Sequence, residues 1–222
     1  GIILEDDCVP HPDFFTFCSS LLEFYRNDER VWVITGDNFQ NGQKRGDGYY
    51  YFSKYNHCWG WATWHRAWKH YQGDIPFWTE WQDSESWSRV LPNTLERRYW
   101  AKIFNTVYSG KIDSWAYPWT ACVWYHGGLT LTPNRNLVTN IGFGKDATHT
   151  TGRGDKFNII STETLSLSSL SHPVGVFVDQ DADNYVFENV FRTKYQGIKG
   201  ILTRIVLKVQ SIYTRCINNI YH

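Results

Sequence analysis

Gly1-Ile2-Ile3-Leu4-Glu5-Asp6-Asp7-Cys8-Val9-Pro10 opens the chain. A short apolar run stops abruptly in three carboxylates, and Pro10-His11-Pro12 turns the chain behind them. Ile2, Ile3 and Leu4 read as a strand buried on both faces, as in a parallel sheet. Glu5, Asp6 and Asp7 then fall at its carboxyl end, where open α/β sheets bind ligands. Adjacent carboxylates repel one another unless a cation sits among them. Mg²⁺ or Mn²⁺ takes oxygen donors of this type and shares its shell with substrate phosphates. The plain alternative is an acidic loop facing water. Acids placed between a buried strand and a turn are, however, aimed at one point.

Downstream, Asp13 is placed to cap a helix reaching about Asn27, with Phe14, Phe17, Cys18, Leu21, Leu22 and Tyr25 as its buried stripe. Val31-Trp32-Val33-Ile34-Thr35-Gly36 reads as a second strand, and Asp37-Asn38 follow it as Asp7 follows the first. They either edge the same cleft or form a plain turn. Tyr49 to Ser53 is a further strand. In His57-Cys58-Trp59-Gly60-Trp61, the Gly lets the backbone approach a ligand or another chain segment. Trp61, Trp64, Trp68 and Tyr71 recur at helical spacing from there. Trp64 and Trp68 read as core, while Trp59, Gly60 and Trp61 are open to a ligand role.

Glu80, Asp83 and Glu85 either reach the site or are solvated. Thr94 is placed to cap a helix with the stripe Leu95, Tyr99, Ile103 and Val107, closed by Gly110. Asp113 or Ser114 caps another, ending at Gly127-Gly128. A carboxylate at a helix N-terminus is held ionised by the dipole, and transfer to an acceptor hydroxyl needs such a base. The bland reading of Asp113 is a cap alone. Two short strands, 129–133 and 137–141, precede a loop from Gly142 to Arg153. Its glycines, hydroxyls, Lys145, Arg153 and His149 suit a flap over a diphosphate. After Asn189 the chain holds cations and no acid. Ile198, Leu202, Ile205, Val209 and Ile212 form the apolar face of a basic amphipathic helix.

The chain has 222 residues, zero formal net charge, and 12 Trp. Neutrality argues against a nucleic-acid protein held by bulk charge. Flat indoles suit sugar C–H surfaces. Five cysteines (8, 18, 58, 122 and 216) with no C-x-x-C read as free thiols in a reducing compartment. With no Met, and a start at a strand, the natural protein is expected to extend upstream.

Ile3-Leu4-Glu5-Asp6-Asp7-Cys8 resembles the Asp-X-Asp element of glycosyltransferases with the GT-A fold. Gly60-Trp61-Ala62-Thr63-Trp64 and Asn140 to Thr150 resemble segments of a bacterial, hemolysin-like subgroup of nucleotide-diphospho-sugar transferases. The likeness covers roughly 1–153. It implies an α/β, GT-A-like (Rossmann-related) mixed sheet flanked by helices, to which the spacing after Asn189 adds the C-terminal basic amphipathic helix. The core spans 1–155 and lacks its first nucleotide-binding strands. A loop-rich connection spans 156–188, and the helical tail 189–222.

The resemblance also implies Mn²⁺ or Mg²⁺ on Asp7, with His149 completing the shell. Glu5 and Asp6 face the ribose and sugar or bind through water, and Lys145 and Arg153 offset diphosphate charge. The donor is a nucleoside-diphosphate sugar, and the acceptor is a glycan or lipid-linked hydroxyl. Transfer is inverting, with Asp113 or one of Glu80, Asp83 and Glu85 as base. Relatives in the subgroup carry Asp where this chain has Ala116. The protein is expected to be cytoplasmic, with 189–222 either on the anionic inner membrane face or packed on protein. Two rival classes are a Trp-rich carbohydrate-binding module and a glycoside hydrolase. Acids as close as 5–7 do not flank a glycosidic bond.

Overall fold

A computed structural model describes residues 1–142, 161–164 and 170–192. Five strands form one sheet: β1 (Ile2–Leu4), β3 (Val31–Thr35), β4 (Tyr50–Ser53), β5 (Gly60–Thr63) and β6 (Leu129–Pro133), in the order β1-β5-β3-β6-β4. β5 runs antiparallel to both β1 and β3, β3 and β6 are parallel, and β4 is antiparallel to β6. The sheet is therefore mixed. β1, β3 and β6 share one direction, and their carboxyl ends share one edge. A second ribbon pairs β2 (Cys8–Pro10) with β7 (Val138–Asn140).

β1 departs from the doubly buried parallel strand expected. It pairs with β5 alone at the end of the sheet order; Ile2 and Ile3 are half-buried and Leu4 is exposed. β5 departs further, because the indole spacing predicted a helix from Ala62. Gly60 to Thr63 instead fill the slot between β1 and β3 and bond on both sides, which overrides a periodicity that fits both shapes. Only one turn of helix follows, α2 (His65–Trp68).

α1 (Pro12–Phe24) covers one face of the sheet. Phe14, Phe17, Cys18 and Leu21 pack with Val31, Ile34, Tyr50, Phe52, Ala62, Leu131 and Val138. Its cap is His11 rather than Asp13: the His11 Nδ1 accepts from the Asp13 N–H at 3.2 Å, and Pro12 takes the first helical position. Ala62 belongs to the α1 cluster. Trp61, one residue along β5, therefore points to the opposite face, where it meets Trp115 and Trp119.

That face carries α3 (Trp78–Trp81), α4 (Glu85–Val90), α5 (Thr94–Tyr108) and α6 (Ala116–Tyr125). Trp78, Trp81, Trp87, Trp100 and Trp124 are buried there, with Phe104 edge-on to Trp78 and Trp124. Most of the indoles are thus a second aromatic core, not sugar platforms. α5 is capped by Asn93, whose Oδ1 accepts from the Leu95 and Glu96 N–H groups; Thr94 is already helical. Its buried stripe is Glu96, Trp100, Phe104 and Val107, turned from the predicted one because Glu96 reaches inward to Lys54. Gly110, at φ +67°, closes the helix: its N–H bonds Val107 O, and the Lys111 N–H bonds Thr106 O.

α7 (Gln180–Val186) and a π-helical turn at Phe187–Phe191 end the described chain. Contacts divide the chain into a unit Gly1–Asp183 and a second unit Asn184–His222. Within the second unit the Asn189 side chain bonds Tyr185 O at 2.9 Å. The basic tail beyond Arg192 lies outside the described residues, as do Lys145, His149 and Arg153. No helix among the described residues is long and apolar enough to cross a membrane.

Candidate functional site

The carboxyl edge shared by β1 and β3 gathers the acids. Glu5 follows β1 and Asp37 follows β3, while Trp59 and Gly60 lead into β5 between them. Leu4 pairs with Gly60 in register, and the Gly36 N–H bonds Gly60 O at 2.7 Å. A Cβ on Gly60 would lie 2.7 Å from Val138 Cγ2 and 3.0 Å from Leu4 Cδ2. The missing side chain at Gly60 thus lets the β2–β7 ribbon close on the sheet edge.

Asp7 is held by that ribbon. Its carbonyl accepts from the Ile141 N–H at 2.8 Å, and Cys8 pairs with Asn140. A Cβ on Gly142 would fall 2.1 Å from Asp7 Oδ2, so the Gly142 backbone lies directly on the carboxylate. The glycine-rich segment that starts at Gly142 therefore leaves the sheet edge beside Asp7.

Donor atoms of Glu5, Asp7 and Cys8 lie within 4.8 Å of one another. The Cys8 thiol donates to Asp7 Oδ1 at 3.4 Å; burial first, then the Asp7 carboxylate, pushes it far above its ordinary range. The Cys8 sulfur is the third ligand atom of the group, beside two carboxylate oxygens. The two carboxylate oxygens suit a hard cation, while a sulfur deprotonated by a bound metal suits a softer one. The Trp115 indole N–H donates to Glu5 Oε1 at 3.2 Å. Asp6 is exposed.

Asp37 is the residue sequence reasoning underweighted. It is completely buried; its Oδ2 accepts from the Trp59 N–H at 3.2 Å and the Thr35 hydroxyl at 3.4 Å, while its Oδ1 has no hydrogen-bond partner. Burial, with the charge of Glu5 adding to it, raises its carboxyl from 3.8 to about 8, against the bonds from Trp59 and Thr35. Cys58 is pushed up by burial and then by Glu5, Asp37 and Asp7, so these three carboxylates act on one neighbourhood. The signal in the sequence was the repeated pattern of a strand ending in an acid.

A pH dependence follows. Between about pH 4 and pH 8 the unfolded Asp37 is ionised while the folded one keeps its proton. Stability held below that window is lost as pH rises through it, by up to about 1.4 kcal/mol per pH unit. Asp183, raised to about 7 mainly by burial, acts with the same sign. Asp37→Asn, with its carbonyl turned to the Trp59 N–H, is expected to flatten the slope and to raise stability at pH 8. Urea unfolding of both proteins at pH 5 and pH 8 measures it.

None of the candidate bases belongs to the Glu5–Asp7–Cys8 group. Asp113 is exposed and is no cap: α6 begins at Ala116, after Trp115, and the Ala116 N–H bonds Ser114 Oγ. The Trp115 bond to Glu5 nevertheless brings this segment to the site. Glu80, Asp83 and Glu85 are exposed on α3, the following turn and α4. Asp83 and Glu85 line a cleft with Ser88, Arg97 and Arg98 that includes none of Glu5, Asp7 and Asp37. Trp61 is buried, Trp59 is half-buried against Phe39, and Trp68 is exposed, which reverses the expectation for Trp61 and Trp68. The four described cysteines, Cys8, Cys18, Cys58 and Cys122, are free.

No family model and no curated protein matches this chain. The functional reading therefore rests on the chemistry of the sheet edge.

Proposed function

We propose that this chain is a metal-dependent glycosyltransferase of GT-A type that moves a sugar from a nucleoside diphosphate to an acceptor hydroxyl, with inversion. The observation that carries the reading is the placement of the Gly142 backbone on the Asp7 carboxylate, beside Glu5, at the carboxyl edge of parallel strands. Acids and the root of a glycine-rich, cation-bearing segment meet at one point. That juxtaposition suits a diphosphate better than a solvated acidic loop.

In this reading Asp7 holds Mn²⁺ or Mg²⁺ with a carboxylate oxygen, together with His149. A bound cation there supplies Lewis-acid stabilisation of the departing diphosphate. Glu5, fixed by the Trp115 indole, orients the donor sugar. Lys145 and Arg153 offset leaving-group charge. Asp113, two residues before Trp115, takes the acceptor proton in this reading; a base at position 116 itself is lacking here, since that residue is Ala. The cytoplasmic setting and a basic tail on an anionic membrane belong to the same proposal, which suits a lipid-linked or glycan acceptor.

The test is a thermal-shift screen of the full chain with UDP, GDP, CDP and dTDP, each with Mn²⁺, with Mg²⁺ and with chelator. At a hundredfold excess over Kd a true ligand stabilises by about 2.7 kcal/mol, which moves the midpoint by roughly 5–10 °C in a domain of this size. The expected result is a shift that needs both nucleotide and cation. No shift with any nucleotide in either metal overturns the reading.

A further inference from the structure

A run of aromatic rings leads outward from the acidic corner. Trp115, bonded to Glu5, stacks on Trp61 at 5.3 Å and 17°. Trp61 tilts against Trp68 at 5.8 Å, and Trp68 lies flat on Tyr71 at 4.6 Å and 7°. Trp119 braces the run from beneath, 6.0 Å from Trp61 and 5.0 Å from Trp68. Trp61 and Trp119 are buried, Trp115 and Tyr71 are half-buried, and Trp68 exposes 38% of its surface.

A single surface indole is unremarkable. This one differs in two ways. It is locked between Tyr71, Trp61 and Trp119, so little rotamer freedom remains to be lost when a ligand lands on it. It also lies two ring spacings from the Trp115 that touches Glu5, a distance a disaccharide spans. In the middle of the run, the Trp61 indole N–H is buried with no hydrogen-bond partner. That nitrogen exposes less than 1 Å², so it is closed to a surface ligand and Trp61 serves only as the support of Trp68.

The geometry points to an acceptor-sugar subsite on Trp68 and Tyr71. One pyranose of a glycan stacks its C–H face on the exposed indole, and its neighbour extends past Trp61 to present a hydroxyl at Trp115 and the acidic corner. The carbohydrate contact stands on the rings themselves; only the direction in which the glycan points rests on the transferase reading above. Trp61, which the sequence offered as the contact, is the support, and Trp68, which read as core, is the platform.

The experiment is saturation-transfer NMR on the full chain with lactose, cellobiose, maltose and N,N′-diacetylchitobiose at millimolar concentration. It compares the natural protein with Trp68→Ala, Trp68→Phe and, as a control, Tyr108→Ala, an exposed aromatic at the far end of α5. The expected result is transfer to ring C–H protons of at least one disaccharide. That contact weakens about tenfold in Trp68→Ala, survives in part in Trp68→Phe and is unchanged in Tyr108→Ala. Near-ultraviolet circular dichroism checks that each variant keeps its packing. Absence of transfer to every disaccharide, or undiminished transfer in Trp68→Ala, overturns the subsite. The two readings fail separately. Sugar contact without any nucleotide shift sinks the transferase and leaves a carbohydrate-binding surface. A nucleotide shift without sugar contact sinks the subsite alone.

Discussion

Asp7→Asn is expected to lower the Mn²⁺-dependent affinity for a nucleoside diphosphate at least about a hundredfold, a loss of roughly 3 kcal/mol, measured by calorimetry with and without the metal. The argument is one of charge and place. Among the described residues, Asp7 is the carboxylate that combines a position in the Glu5–Asp7–Cys8 group with direct contact from the Gly142 backbone. Asn keeps the shape and the thiol contact but removes the anion that a hard cation requires. Metal-independent affinity, resting on Lys145 and Arg153, is expected to survive in part. Stability is expected to change little or to rise, since one of several neighbouring negative charges is removed. Unchanged Mn²⁺-dependent affinity in Asp7→Asn would falsify the assignment of the ligand, and with it the proposed role of the acidic corner.

How much of this was legible in the sequence depends on which force decided each element. β3, β4, β6 and β7 came through because their apolar runs end in turn chemistry that admits little else. The buried stripe of α1 came through because its spacing is long and clean. β5 did not. Trp61, Trp64 and Trp68 fit a helical period, and only the slot between β1 and β3 decided otherwise. The same pairing sent Trp61 inward and left Trp68 out, so the candidate sugar contact changed residue. Asp37 was readable as an acid after a strand. Its complete burial was not, because that depends on Trp59 folding back over it. Asp113 was read as a cap since Asp commonly is one, but α6 starts three residues later, after a Trp bonded to Glu5. Each miss is a tertiary partner that a local pattern does not encode.

Glu96→Leu is expected to cost about 3–5 kcal/mol of stability, a fall in melting midpoint on the order of 10 °C. Glu96 is 2% exposed on α5 and pairs with Lys54 at 2.8 Å. The Tyr55 hydroxyl donates to the same carboxylate, and both burial and that carboxylate push the phenol well above its ordinary range. Beside them Asp183 accepts from the Ser53 hydroxyl and the Lys54 N–H. The Lys54 ammonium pairs with Glu96 and its charge also acts on Asp183, while the Lys54 carbonyl accepts from the Trp124 indole at 2.6 Å. Removing Glu96 strands a desolvated cation and takes from the Tyr55 hydroxyl its carboxylate acceptor at once. Asp183 offsets a little of the loss: with Glu96 gone, the smallest of the contributions that raise its carboxyl disappears, while burial, the main one, remains. The variant is thus expected to keep most of the pH-dependent stability that Asp183 contributes below about pH 7, since its burial is unchanged. The double change Lys54→Met with Glu96→Leu removes both charges and is expected to recover most of the stability, because a buried ion pair costs far more to break than to replace. Chemical unfolding of the three proteins at pH 5 and pH 7.5 separates the terms. If the double variant is no more stable than Glu96→Leu, the cost lies in packing around Tyr55 and Trp100 rather than in a stranded charge.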